Sequence, residues 1–324
     1  MRRRPATLAR LLVVAAVAAF GAHGAASDYP ARPIRMLVGF TAGGGSDIAA
    51  RNVAHKLSED FGQSVVVDNR TGATGAIAAQ TVAKAQPDGY TLMMLAVAQV
   101  VANAFDDKLA YSSARDFAAV SYVSRNPYVV AVNPALPARS VREFIDLAKS
   151  QPGILNYGST GAGGSNHLAT ELFNAAAGIR LAHVPYKGPP QALADLAGGQ
   201  VQLVFASITS GLPLARAGKV RALAVTSLKR SNAAPEVPAV AETLPGFEVI
   251  GWYGVVAPRG TPAAIVDRLS AAIAKGLQAP DLKQRLAADG SEVVGSTPAE
   301  FDRHIRSELA RFAHIVQVLG IRPE

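Results

Sequence analysis

The chain has 324 residues, of which 49% are hydrophobic and 17% charged, so it is long enough for two medium-sized globular domains. Its formal net charge is +8, but no Lys/Arg stripe and no interleaved aromatic residues favour nucleic acid as a partner. It contains no cysteine, which excludes disulfides, cysteine-based zinc sites and thiol catalysis.

The first 26 residues are typical of a secretory signal peptide. Four arginines precede an apolar run at 11–20, and a segment rich in small residues follows at 21–26. The alternative is an uncleaved anchor, but the run is shorter than the roughly 20 residues that span a bilayer. We therefore expect cleavage near Ala26 or Ser27 and export to the periplasm. Removal of the four arginines leaves 8 − 4 = +4, which suits an acidic solute.

The first part of the mature chain alternates apolar runs with helical patterns. Strands are predicted at 34–38, 64–67 and 91–97, and helices at 47–60 and 76–85. Residues 98–117 are less regular and carry no prediction. Two strand-like segments, 122–124 and 128–132, are separated by Pro127 and predict a first crossing between domains.

The second part has the same alternation. The predicted helices are 141–149, 190–197 and 212–217, and the predicted strands are 180–185, 201–205 and 221–226. A loop at 231–245 leads to a return strand at 247–256. Helices at 262–277, 281–288 and 298–319 follow, with a short strand at 292–294.

This order predicts an α/β protein with two α/β domains joined by two crossing segments. Domain 1 comprises 27–125 and 246–324, and domain 2 comprises 126–245. Ligands of open α/β sheets bind outside the carboxyl ends of the strands, so we expect a cleft between the two domains.

Two glycine loops indicate what this cleft binds. Residues 41–47 read TAGGGSD and residues 156–167 read NYGSTGAGGSNH, and each lies between an apolar run and the start of a helix. The first N–H groups of a helix have no internal partner and carry partial positive charge. Glycines let a ligand approach this backbone, so each loop is suited to an anion. A single such loop is more often only a tight turn, but two loops of matching chemistry favour a clamp.

Several side chains in and near these loops have a structural alternative to ligand contact. Ser46 and Ser165 are predicted both as helix N-caps and as hydroxyl donors. Asp47 is more readily explained as a favourable partner of the helix dipole. His167 fits a packed, hydrogen-bonded histidine and a ligand contact about equally. Trp252-Tyr253 fits the core of the return strand better than a wall of the cleft.

No catalytic, cofactor or metal motif is present. The sequences GxGxxG, GxSxG and HExxH are absent, and the P-loop spacing at Gly158 and Gly163 is followed by Gly-Ser instead of Lys-Ser/Thr. The six histidines have no metal-ligand spacing. We therefore expect no cofactor, no metal and no enzyme activity.

The chain resembles the periplasmic solute receptors of tripartite tricarboxylate transporters, the Bug family. Six stretches that span nearly the whole mature chain carry the resemblance: YPARPIRMLVGFTAGGGSDIAAR, NRTGATGAIAAQTVAKAQPDGYTLM, NYGSTGAGGSNHLATELFNAAAG, VPYKGPPQALADLAGGQVQLVFAS, GKVRALAVT and GWYGVVAPRGTP. The resemblance implies a two-lobed, type II-like periplasmic binding protein fold that closes on an organic acid. It also implies the membrane components of a transporter as partners.

The resemblance further implies that the loop at 159–165 holds one carboxylate. Ordered water would bridge the ligand to the loops at 40–47 and 72–74. Together the loops and the resemblance predict these ligand-binding residues: Phe40, Thr41, Gly43, Gly44, Asp47, Gly72, Ala73, Thr74, Ser159, Thr160, Gly161, Gly164, Ser165, Asn166, His167 and Ser207.

Two departures from the family pattern concern the ligand. Members commonly carry a proline and two glycines in the first loop, where this chain has Thr41-Ala42-Gly43-Gly44. Ala206-Ser207 stands where members often have an acidic residue, which makes an amino-acid ligand less favoured. We expect a monomeric receptor that delivers its ligand to a transporter. The alternatives are a receptor that feeds a two-component sensor kinase and, less favoured, an enzyme on the same scaffold.

Overall fold

The computed structural model describes residues 29–106, 108–288 and 290–320. The predicted signal peptide and its cleavage site lie outside these residues. The first elements are β1 (Ile34–Val38), α1 (Gly45–Phe61), β2 (Val65–Asn69), a 3-10 turn (Ala73–Gly75), α2 (Ala76–Ala83), β3 (Thr91–Ala96) and α3 (Val97–Phe105).

The middle of the chain begins with the longest strand of the described residues and continues with four helices and four strands. These elements are β4 (Phe117–Val132), α4 (Val141–Ser150), β5 (Asn156–Ser159), α5 (Ser165–Ala177), β6 (Ala182–Pro185), α6 (Pro189–Ala197), β7 (Leu203–Ser207), α7 (Ile208–Arg216) and β8 (Arg221–Val225). The last elements are a 3-10 turn (Val240–Glu242), β9 (Ile250–Pro258), α8 (Ala263–Leu277), α9 (Pro280–Ala288), β10 (Glu292–Val293) and α10 (Pro298–Leu319).

The strands form two sheets that share β4. The first sheet has the order β2-β1-β3-β9-β4, and β10 also pairs with β4. The second has the order β4-β7-β5-β6, and β8 also pairs with β4. Strands β1–β3 and β5–β7 pair in parallel, whereas β4, β9 and β10 make antiparallel pairs. Each sheet with its helices forms one lobe of a two-lobed α/β fold.

One helix in this region was not predicted, and one predicted break in a strand was wrong. Residues 97–105 form a helix, six of whose nine residues are buried, and Gln99 Oε1 caps its start by accepting a hydrogen bond of 2.9 Å from the Ala96 N–H. Pro127 does not interrupt β4. The strand pairs with β9 through Pro127 and with β7 and β8 from Tyr128 onward, so the proline lies where the strand passes between sheets and little pairing is lost. The predicted domain boundaries remain a prediction.

Each lobe has its own apolar core. In the first lobe, α10 packs Phe301, Ile305 and Phe312 against Met93 and Trp252. In the second lobe, α4 and α5 cover one face of the sheet and α6 and α7 the other. Within the described residues, no helix combines the length and the apolar character needed to cross a membrane.

Candidate functional site

A cavity lies between the two lobes, where the N-termini of α1 and α5 meet. Gly45 and Ser46 line it from α1, and Ser165 and Asn166 line it from α5. The two glycine loops of the sequence therefore share one cavity, although they are about 120 residues apart in the chain. Helix N-termini on both sides give a small anion free N–H donors from two directions.

The N-terminus of α1 is formed by backbone rather than by a capping side chain. Gly44 is the N-cap residue, and Ser46 is already inside the helix, so its prediction as the cap was wrong. A Cβ atom on Gly45 would lie 2.3 Å from Tyr253 Oη and 2.8 Å from Ser207 Oγ. Only glycine lets these hydroxyls come so close to the first turn of the helix.

Asp47 holds this loop from inside its own lobe. Its carboxylate accepts hydrogen bonds from the Gly43 N–H, Arg51 Nε and Asn69 Nδ2 at 2.9–3.0 Å, and its side chain is 3% exposed. Burial raises the pKa of Asp47, but these hydrogen bonds outweigh it and hold the pKa below its usual range. The negative charge of Asp47 is thereby satisfied outside the cavity lining.

The second loop is braced by Asn166. Its Oδ1 accepts hydrogen bonds from the N–H and the hydroxyl of Thr160, at 3.1 and 2.9 Å. Ser159 Oγ lies 2.6 Å from His183 Nε2 and 3.1 Å from both the N–H and the carbonyl of Gly161. These bonds fix the course of the loop, so its backbone is organised before any ligand arrives.

Ser165 is the hydroxyl of this loop that is best placed for a ligand. The N-cap of α5 is Gly164, so the prediction of Ser165 as the cap was wrong. Tyr128 Oη donates a hydrogen bond of 2.8 Å to Ser165 Oγ, which leaves the Ser165 proton to be donated onward. Burial raises the pKa of Tyr128, and the phenol therefore stays protonated at neutral pH.

His167 is packed inside the second lobe. Its Nδ1 accepts a hydrogen bond of 3.2 Å from the Gly163 N–H, and its ring stacks on His183 with 4.3 Å between centroids. The ring of Phe105 in the first lobe lies 5.9 Å away. His167 thus supports the loop and contacts the opposite lobe.

The structure is closed, because the lobes contact each other around the cavity. Thr74 Oγ1 donates a hydrogen bond of 3.2 Å to the Ala162 carbonyl across the cleft. Both Ala73 and Thr74 have positive φ angles, 46° and 54°, so this turn presents its side chains in a strained conformation. Thr41 packs against Gly188 of the second lobe.

The predicted site residues divide into two groups. Five of them line the cavity: Phe40, Thr160, Ser165, Asn166 and Ser207. The others lie beside it in the loops, at the helix starts or in lobe contacts: Thr41, Gly43, Gly44, Asp47, Gly72, Ala73, Thr74, Ser159, Gly161, Gly164 and His167. Ligand contact by any of them remains a prediction.

Part of the lining comes from the crossing strands, for which the sequence offered only the less favoured interpretation of Trp252-Tyr253 as a wall of the cleft. Asn126 and Tyr128 of β4 and Gly251, Trp252 and Tyr253 of β9 all contribute to the cavity. Trp252 is 1% exposed and belongs to the core as well, so both interpretations of Trp252-Tyr253 hold. The pairing of β4 with β9 brings these residues together at the cavity.

The lining described here carries no charged side chain. Both lobes contribute apolar side chains to it, and its polar groups are neutral hydroxyl, amide and backbone groups. Within the described ranges, no group of three or more His, Asp or Glu side chains could hold a metal ion. The site is built to hold a small anion by hydrogen bonds rather than by ion pairs.

Two α/β lobes that close over a cavity at the crossing strands define a periplasmic solute-binding protein. A family profile described as tripartite tricarboxylate transporter family receptor matches residues 49–321. BugT of Bordetella pertussis is 36% identical over 318 residues, which cover 97% of this chain and 98% of BugT. The chain belongs to this receptor family.

Solved structures give the same result. Rpa4515 of R. palustris, determined with adipate, is 39% identical and has a TM-score of 0.88, with 92% of this chain and 100% of that chain covered. MatC of Rhodopseudomonas palustris, determined with bound malate, is 32% identical and has a TM-score of 0.85, with 89% and 100% covered.

Proposed function

We propose that the protein is a periplasmic receptor that closes on a small organic acid and delivers it to a tripartite tricarboxylate-type transporter. The observation that carries this proposal is the cavity into which the N-termini of α1 and α5 both open. Relatives of the same fold were determined with adipate and malate, which are both carboxylates.

The physical chemistry of the cavity suits capture followed by release. A hydrogen bond to a charged group contributes about 1.5–3 kcal/mol, so a few such bonds to one carboxylate are enough for micromolar binding after the unfavourable free energy of closure. Among the described residues, the lining has no arginine or lysine, whose ion pair would have to be broken when the ligand is released to the transporter. Neutral donors therefore fit a delivery protein.

Membership of the receptor family supports a proposal for the partners and the compartment. The transporter's membrane components would receive the ligand from the closed receptor, and the N-terminal signal pattern directs the chain to the periplasm. The chain would act as a monomer and would bind the acid without converting it.

Calorimetric titration of the mature protein with a panel of mono-, di- and tricarboxylates tests the proposal. At least one acid should bind with micromolar or tighter affinity and be recovered unchanged. Ser165→Ala should weaken its binding, whereas Ser150→Ala, at the exposed end of α4, should not. If no acid in the panel binds, or if the acid is converted during the titration, the proposal is wrong.

A further inference from the structure

Asn126 is the least explained polar side chain of the cavity. It is 2% exposed and lines the cavity, and neither Nδ2 nor Oδ1 has a hydrogen-bond partner among the described residues. An unpaired buried amide is unfavourable, because both of its polar atoms have lost water without gaining a partner. Such a group in a binding cavity indicates a missing partner that the ligand supplies.

The geometry of β4 directs the Asn126 side chain toward the cavity. Asn126 and Tyr128 are two residues apart in one strand, so they project from the same face, and both line the cavity. The hydroxyl of Tyr128 is bonded to Ser165, whereas the amide of Asn126 has no partner in the part of the chain that the structure describes. The two side chains therefore differ in role. Tyr128 positions the Ser165 hydroxyl at the helix N-terminus, and Asn126 is available to hydrogen-bond to the ligand.

The neighbouring strand keeps this part of the cavity open. Gly251 of β9 pairs with Asn126. A Cβ at Gly251 would lie 3.0 Å from Tyr128 Oη and 3.3 Å from the backbone carbonyl oxygen of Asn126. A side chain there would crowd the space beside both residues. The absence of a Cβ at Gly251 leaves room for a ligand group between the carboxylate end of the cavity and β4.

The chemistry of an amide limits which group fits. Nδ2 only donates hydrogen bonds and Oδ1 only accepts them, so both are satisfied by a group that accepts and donates. An ionised carboxylate only accepts, and the described lining offers it no cation. A methyl group satisfies neither atom. A hydroxyl or a carboxamide matches the amide in full.

We propose that Asn126 is a specificity-determining residue that selects acids whose second polar group is an uncharged hydrogen-bond donor and acceptor, such as a hydroxyl or a carboxamide. This proposal rests on the proposed function, because the carboxylate of the same ligand occupies the helix N-termini. Asn126 contacts the other end of the ligand and sets which acids are preferred.

A series of acids of matched length tests it: butyrate, 4-hydroxybutyrate, succinamate and succinate, with far ends that are a methyl, a hydroxyl, a carboxamide and a carboxylate. The wild-type protein should bind 4-hydroxybutyrate and succinamate at least tenfold more tightly than butyrate and succinate. Asn126→Ala should abolish this preference. Asn126→Leu, which keeps the volume of the side chain, should reverse it in favour of butyrate.

Asn174→Ala is the matched control. Asn174 is a buried amide with an unpartnered Oδ1 among the described residues, but it lies eight residues, or about 12 Å, along α5 from Asn166. This variant should keep the wild-type preference. Equal affinity of the wild-type protein for all four acids would overturn the role of Asn126, as would a uniform loss with all four acids in both Asn126 variants. If none of these acids and none of the wider panel binds, the proposed function itself fails.

Discussion

Gly188→Ala should uncouple closure of the lobes from their folding. Gly188 is the N-cap of α6, and its φ of −179° is extended backbone that alanine adopts without strain. In the closed structure, however, a Cβ at Gly188 would lie 2.4 Å from Thr41 Oγ1 and 3.1 Å from Thr41 Cγ2, in the opposite lobe. The variant should therefore fold but resist closing.

The size of the effect follows from this overlap. Ordinary contact begins at 3.4 Å, so the approach of the two lobes must relax by about 3.4 − 2.4 = 1.0 Å. Overpacking of this kind costs about 1–3 kcal/mol. Because the penalty falls on the closed state alone, it weakens ligand binding about 5- to 140-fold, at 1.4 kcal/mol for each factor of ten.

Calorimetry would measure the loss of affinity, and small-angle X-ray scattering would measure the compaction when ligand is added. Gly198→Ala is the control, since a Cβ there meets only ordinary contacts of 3.5 Å or more within its own helix turn. Thr41→Ala in the Gly188→Ala background removes both close atoms and should restore most of the affinity. Wild-type affinity and wild-type compaction in Gly188→Ala would refute the reasoning.

Three further predictions concern the loops and the core. Gly161 has a φ of +114°, and Thr74 Oγ1 lies 3.2 Å from where a Cβ of Gly161 would be. Ser165→Ala removes one charge-assisted hydrogen bond and should weaken ligand binding about 10- to 140-fold, and Gly161→Val should weaken it more. Equal affinities for wild type and Gly161→Val would contradict this. Asp47→Asn should lower the melting temperature at neutral pH. Because the folded protein lowers the pKa of Asp47, its negative charge contributes stability at pH values above the usual pKa of about 3.8. The difference in melting temperature between Asp47→Asn and wild type should therefore shrink as the pH falls below that value. A difference that does not depend on pH would argue against a contribution of the charge. Trp252 is the only tryptophan and lines the cavity, so its fluorescence should change on ligand binding and not with a non-binding acid.

Local residue patterns predicted much of the site. The glycines at 43–45 and at 161–164 mark helix starts through chemistry that is local to the chain, and the helices begin within two residues of where the loops predict. The error of taking Ser46 and Ser165 as caps has a physical cause. Glycine also serves as an N-cap, and the serine one or two residues after it is then free to act in the cavity instead.

The sequence alone determined most of the strands and helices, the two anion-suited helix starts and the lack of cationic residues in the loops, because these depend on residues that are close in the chain. Only the tertiary structure decided that the two helix starts share one cavity and that Thr41 and Thr74 touch the opposite lobe. It also decided that Asn126, whose amide has no partner among the described residues, lines the same cavity, because β4 must pair with β9 on one side of Pro127 and with β7 on the other before its side chains face a common space. Such long-range pairing leaves no periodic trace in the residues on either side of the crossing.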